Sequence, residues 1–124
     1  MPVKNFLKTE VRRTPCHDGE GIARISTVFG GNELSTPLQF VHYTILPPKA
    51  TIGLHTHGDD EELYVILSGS GSADIDGKRV EVRHGDVILN KPFGTHALYN
   101  TSESEELKIL VIKILNQEGP TCQV

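Results

Sequence analysis

Cysteine is scarce in this chain. Cys16 and Cys122 stand near opposite ends of the 124 residues, and neither has a second cysteine at metal-binding spacing. A reduced pair, rather than a disulfide between them, is the expectation. Positive charge is also in short supply. Lys and Arg number 12 against 16 Asp and Glu, no basic run occurs, the formal net charge is -4 and the pI is about 5.8. General binding to nucleic acid or to anionic membrane needs a basic surface, so both are argued against. No stretch stays apolar long enough to span a bilayer. The opening residues, MPVKNFLKTEV, lack the apolar centre of a secretory signal, and a cytoplasmic location is expected. No long segment carries apolar residues at the helical period with caps. Linkers, low-complexity tracts and solenoid-length repeats are missing too.

What is present is a succession of short β signals. With 37% hydrophobic residues the chain can bury one core, and its length argues for one domain. Strands are expected over residues 22–29, 38–46, 51–57, 62–68, 72–76, 78–82, 87–89, 96–100 and 107–115, with a further short one around Phe6. Asp76-Gly77 between alternating segments is a two-residue hairpin signal. Glycine, proline, Asn and Asp punctuate the rest. Many short strands with regular turns predict an all-β sandwich or barrel. Residues 1–21 read as an N-terminal arm or edge segment, 22–116 as the barrel and 117–124 as a loose tail.

The chemistry concentrates between His55 and Gly71, in HTHGDDEELYVILSGSG. His55 and His57 are one residue apart, so on a strand both imidazoles point to one face and can reach one metal ion. Glu61 and Glu62 follow a tight polar segment and open an apolar strand. Further on, Pro92 and Gly94 make a turn just before His96, which offers a third imidazole. Imidazole nitrogens with one carboxylate suit a single divalent transition metal: Mn, Fe, Co, Ni, Cu or Zn. Asp59 and Asp60 read as a solvated turn. His17 and His84 sit in turn-like segments with no role, and Asn100 reads as closing a turn or strand hydrogen bond.

These residues resemble the cupin superfamily, small single-domain jelly-roll barrels (double-stranded β-helices) of antiparallel strands. The first cupin motif is His-x-His, three or four residues, Glu, six residues, Gly; His55, His57, Glu62 and Gly69 fit it. The six-residue gap to Gly69 selects Glu62 over Glu61. Gly53 lies nearer His55 than the motif's leading glycine. In the second motif Gly85, His96 and Asn100 keep their mutual spacing, while Lys91 occupies the expected proline position and Pro92 and Gly94 each fall one place late. The chain is most similar to the small stand-alone bacterial cupins (the cupin_2 type) labelled oxalate-decarboxylase-like or mannose-6-phosphate-isomerase-like. The resemblance implies a metal held by His55, His57, Glu62 and His96.

It leaves two function classes. One is a metalloenzyme acting on a small oxygen-rich substrate (a carboxylate, an enediol or a sugar-derived acid) by isomerase, decarboxylase, lyase or dioxygenase chemistry. The other is a non-catalytic small-molecule or sugar-binding module. His42, in phase with Phe40 and Thr44, is expected to point into the barrel. There it would contact substrate or support a ligand, unless it simply packs in the core. Tyr64 has the same two readings. Bulky inward residues, Phe40, Tyr64, Phe93 and Leu98, would close the metal off and favour the binding module, whereas an open mouth favours catalysis. The apolar strand at 107–115 and the family resemblance motivate a homodimer.

Overall fold

The computed structural model describes residues 2–116. Ten strands follow in order: β1 (Arg12–Thr14), β2 (Ala23–Gly30), β3 (Leu38–Leu46), β4 (Thr51–Thr56), β5 (Asp60–Ser68), β6 (Ser70–Ile75), β7 (Lys78–Arg83), β8 (Val87–Asn90), β9 (Thr95–Tyr99) and β10 (Leu107–Leu115). The helical content among the described residues is one 3-10 turn, Gly31–Glu33. A six-stranded sheet runs β1-β2-β3-β10-β5-β8, and a four-stranded sheet runs β4-β9-β6-β7. Every pairing between named strands is antiparallel. This is the expected all-β jelly roll. The tail 117–124 and Cys122, and with it any pairing to Cys16, lie outside the described residues.

Alternation along each strand sends one set of side chains into the space between the sheets. In β5 the buried set is Asp60, Glu62, Tyr64 and Ile66. In β10 it is Leu107, Ile109 and Val111. Leu46, Ile52, Leu98, Leu107 and Ile109 are fully enclosed and form the centre of the core. Burying a side chain of this size contributes about 1.5–3 kcal/mol. The core therefore fills one half of the barrel with aliphatic groups. The other half is left to the polar inward residues of β3, β4, β5 and β9.

Local chemistry sets the connections. Asp76 and Gly77 both have positive φ, 50° and 84°, as a type I′ hairpin between β6 and β7 demands. The expected strand around Phe6 is instead a turn, with the first strand later, at Arg12–Thr14. The Asn5 side chain accepts the Leu7 amide at 2.9 Å, and the Asn5 carbonyl accepts the Lys8 amide at 2.9 Å. Such an Asx turn competes successfully with a strand. Phe6 instead packs against Tyr43, with ring centroids 4.5 Å apart and planes tilted by 50°.

Candidate metal centre

β4 carries the first imidazole and leads directly into the second, His57, and it reaches them through an irregularity. Ile52 pairs with Leu98 and His55 with His96, so β4 spends three residues where β9 spends two. This is the spacing of a β-bulge, which shifts the phase of a strand by one residue. Ile52 is buried in the core, yet His55 and His57, three and five positions on, also face inward. Without the extra residue the inward set would run through Leu54 and Thr56, which are exposed.

The bulge is gripped from outside by residues 16–20. The Cys16 carbonyl accepts the amides of Gly19 and Gly53, each at 2.9 Å. The Thr51 amide donates to the Glu20 carbonyl at 2.9 Å, and the Thr51 hydroxyl accepts the Glu20 amide at 2.8 Å. His17 and Asp18 both adopt positive φ to make this strap. The His17 ring thereby lies flat on His55, with centroids 3.6 Å apart and planes 7° from parallel. His17, to which the sequence assigned no role, is part of the site. Its signal was only its place in a Cys-His-Asp-Gly turn, which is weak.

The imidazoles of His55 and His57 are held through Nδ1 so that Nε2 faces the cluster. His55 Nδ1 donates to the Gly53 carbonyl at 2.7 Å. His57 Nδ1 bonds to the Asp60 carboxylate. The loop before β9 is pinned to the same segment, because the His57 amide donates to the Gly94 carbonyl and the Phe93 amide to the Gly58 carbonyl, both at 2.9 Å. His55 Nε2 lies 3.2 Å from His57 Nε2, which lies 3.2 Å from Glu62 Oε1; His96 Nε2 is 3.5 Å from that same oxygen. One ligand atom from each of the four residues falls within 4.8 Å of all the others. Glu62 Oε1 and His96 Nε2 are buried and have no hydrogen-bond partner among the described residues. Buried polar atoms left unmatched at the convergence point of three imidazoles and a carboxylate fit a divalent transition ion. Glu61 points the other way and sits 3.7 Å from Lys91 at the surface.

The electrostatics follow from enclosure. Burial lowers the pKa of His55 to about 4, against an opposing pull from the Gly53 carbonyl. Burial acts to raise the Glu62 carboxyl, but the facing imidazoles of His96 and His57 and the Lys113 ammonium outweigh it, and its pKa sits below the ordinary value. Burial, then the Glu62 charge, push the Cys16 thiol up to about 11. The same two causes push the Tyr64 phenol well up, so it keeps its proton.

His55, His57 and Glu62 line a cavity of 320 Å³, while His96 is buried and does not line it. His42, Thr44 and Phe40 of β3 line one wall, in the expected phase, and Tyr64 lines another. His42 stacks on Phe40 with centroids 3.7 Å apart, and burial lowers its pKa to about 4. Three expectations need correction. Phe93 does not turn inward: it is 68% exposed, because its positive φ of 60° turns the loop outward. Leu98 is enclosed in the aliphatic half and does not line the cavity. Nor is Asp60 a solvated turn residue. It begins β5, is only 8% exposed and holds His57, while Asp59 stays outside and bonds to Asn116 at 3.0 Å.

Comparison with known proteins agrees with this architecture. The chain is 28% identical over 115 residues to an oxalate-binding protein of Thermotoga maritima, covering 93% of this chain and 94% of that one. It is 38% identical over 110 residues to an uncharacterised protein of Methanocaldococcus jannaschii, covering 89% and 87%. The crystal structure of a predicted oxalate decarboxylase from Thermotoga maritima superposes with a TM-score of 0.87 at 26% identity, over 92% of this chain and 99% of that one. The cupin-domain family matches residues 42–113, the stretch that contains both inward histidine strands, and on that match the chain belongs to the cupins.

Proposed function

We propose that this cupin holds one divalent transition metal, from among Mn, Fe, Co, Ni, Cu and Zn, on His55, His57, Glu62 and His96, and presents it to a small oxygen-rich ligand such as a carboxylate, an enediol or a sugar-derived acid. The observation that carries this is the unmatched pair Glu62 Oε1 and His96 Nε2 within the four-residue cluster, three members of which line the cavity. A bound metal would supply Lewis acidity to an oxygen ligand. The chain's own groups do the remainder. Tyr64 keeps its proton and can donate a hydrogen bond to a ligand oxygen. His42, uncharged at neutral pH, can accept one. Glu62 is the carboxylate placed to exchange a proton with bound ligand.

Open access to the cluster supports an enzyme, with isomerase, decarboxylase, lyase and dioxygenase chemistry as the reaction classes. A binding module is the second reading, supported by the relative named as an oxalate-binding protein. Untagged protein should contain one metal per chain. His57→Ala should lose it and Asp59→Ala should keep it; the reverse result would mean that the wrong ligands are assigned. A substrate panel run in air and under anaerobic conditions then separates turnover from binding alone.

The outer face of the six-stranded sheet supports a homodimer. Val41, Ile112, Leu63 and Leu89 lie in one register row, and Leu110, Val65 and Val87 in the next. Val87 is 58% exposed and Leu89 45%. A second copy of this chain would cover that apolar face. Light scattering at micromolar concentration should give twice the chain mass; a monomer would refute it. A cytoplasmic setting is part of the same reading.

A further inference from the structure

We propose that Asn90, the last residue of β8, is a positioning residue for the metal centre: its side-chain amide holds the Glu62 carboxylate so that Oε1 stays turned to His57 and His96. This rests on the metal-centre reading above.

Among the described residues two asparagines are buried, each only 2% exposed. Asn100 is bonded at both ends of its amide. Its Nδ2 donates to the carbonyls of Leu46, Pro47 and Glu105 at 2.9, 3.1 and 2.8 Å, and its Oδ1 accepts the Ser102 amide at 3.1 Å. Asn90 is the reverse. Its Nδ2 and Oδ1 are both buried, and neither has a partner among the described residues. Buried amides are nearly always matched, because an unmatched one keeps the cost of leaving water and recovers nothing. Asparagine is also disfavoured in strands. The fold draws hydrogen bonds from the Asn100 side chain and none from that of Asn90.

The place of Asn90 shows what it serves. β8 is an edge of the six-stranded sheet and pairs with β5. Tyr64 stands opposite Ile88, and Glu62 opposite Asn90. All four are buried, so Ile88 and Asn90 share the inward phase of β8, as Tyr64 and Glu62 share that of β5. Side chains directly opposed on one face have Cβ atoms about 5 Å apart. Ile88 joins the aliphatic core, whereas Asn90 meets a metal ligand. Asn90 does not line the cavity, so it acts on Glu62 and not on a molecule bound there.

The chemistry of the pair runs one way. An ionised carboxylate only accepts, and of the two ends of the amide only Nδ2 donates. Glu62 Oε1 is the oxygen that faces His57 Nε2 at 3.2 Å and His96 Nε2 at 3.5 Å. A carboxylate has several lone pairs, so a bond from Nδ2 fixes its rotation without using up the one that faces the imidazoles. The rings of His55 and His57 are fixed in the same manner, through the Gly53 carbonyl and Asp60. Asn90 does for the carboxylate what those groups do for the rings.

The test uses the untagged full chain and three measurements: Co(II) affinity by competition with a chromophoric chelator, the visible spectrum of the Co(II) form, and thermal unfolding without metal. Asn90→Val and Asn90→Ala both remove the donor. Both should bind Co(II) about 10-fold or more weakly than wild type, with an altered Co(II) spectrum. Metal-free Asn90→Val should unfold at or above the wild-type temperature, because an apolar group replaces an unmatched polar one. Asn90→Thr, which has the shape of valine and keeps a hydroxyl donor, should recover part of the affinity. Wild-type affinity and spectrum in Asn90→Val or Asn90→Ala would overturn the proposal. So would a metal-free Asn90→Val that unfolds earlier and binds Co(II) with an unchanged spectrum, as loss of a purely structural asparagine would give. If Asn90→Val does not fold, Asn90→Ala decides by affinity and spectrum. Each of the overturning results leaves the metal centre standing; a wild-type chain that takes up no Co(II) overturns both.

Discussion

Replacing Asp60 with alanine should weaken metal binding by about 10–100-fold, although Asp60 is not one of the four ligands. Asp60 is 8% exposed and its carboxylate bonds to His57 Nδ1, which leaves Nε2 facing Glu62 Oε1 at 3.2 Å. Remove the carboxylate and a buried Nδ1–H loses its acceptor, at a cost of about 1–3 kcal/mol. The ring is also free to rotate away from the cluster. A 10–100-fold loss corresponds to about 1.4–2.7 kcal/mol. With metal in excess, the stabilisation that binding adds to the fold falls by the same amount. For a domain of this size, about 3–5 °C of Tm accompanies each kcal/mol, so the metal-induced rise in Tm should shrink by about 4–13 °C. Competition against a chromophoric chelator measures the affinity, and calorimetry with and without metal measures the linked stability. Asp60→Asn keeps an acceptor without the charge and should fall between alanine and wild type. Wild-type metal affinity in Asp60→Ala would refute the reasoning, because it would mean that His57 is held without Asp60.

Three other outcomes follow from the same geometry. His42 has a folded pKa of about 4, below its ordinary 6.5, so its contribution is complete above pH 6.5 and is lost as pH falls toward 4. His42→Phe should flatten that part of the stability–pH curve in denaturant titrations of metal-free protein; an unchanged curve would assign the slope elsewhere. Asn100→Ala should cost about 2–4 kcal/mol, because Nδ2 donates to the carbonyls of Leu46 at 2.9 Å and Glu105 at 2.8 Å, and Oδ1 accepts the Ser102 amide at 3.1 Å. A stability loss under about 1 kcal/mol in urea titrations would contradict this. Gly53→Ala should release the strap at residues 16–20, since a Cβ there would stand 2.1 Å from the His17 carbonyl oxygen. Amide exchange at Gly19 and Gly53 should then accelerate, and retained protection would show that the strap does not depend on that close approach.

Much of the fold was legible because its signals are local. Strands at Leu38–Leu46 and Leu107–Leu115 begin and end where proline, glycine and polar loops place them. The Asp76-Gly77 turn specifies its own geometry through positive φ. Phe6 was misread because apolar content alone suggested a strand, whereas the Asn5 side chain captured the backbone first. Strand order was not legible. β10 lies between β3 and β5, and no local pattern in its nine residues states which neighbours it has.

The site divides along the same line. The spacing of His55, His57, Glu62 and His96 survives in the sequence because two of them stand one residue apart and the others keep fixed distances to turns. The groups that orient them leave no such trace. Asp60 looks like its exposed neighbour Asp59 until β5 is seen to begin there, and one step of alternation separates the two fates. The β4 bulge is invisible because a sequence shows only one strand, and a bulge is a mismatch between two. Yet Gly53 sits nearer His55 than the family pattern asks, and Gly53 is the residue at the irregularity that the strap grips. Lys113 did carry a readable sign: in LKILVIKIL it takes the phase of Leu107, Ile109 and Val111. A charge in the buried phase of an apolar strand is either paired or waiting for a partner. Here it is paired: one oxygen of Asp60 holds His57 and the other, Oδ2, stands 3.7 Å from the Lys113 ammonium, a pairing that only the fold reveals.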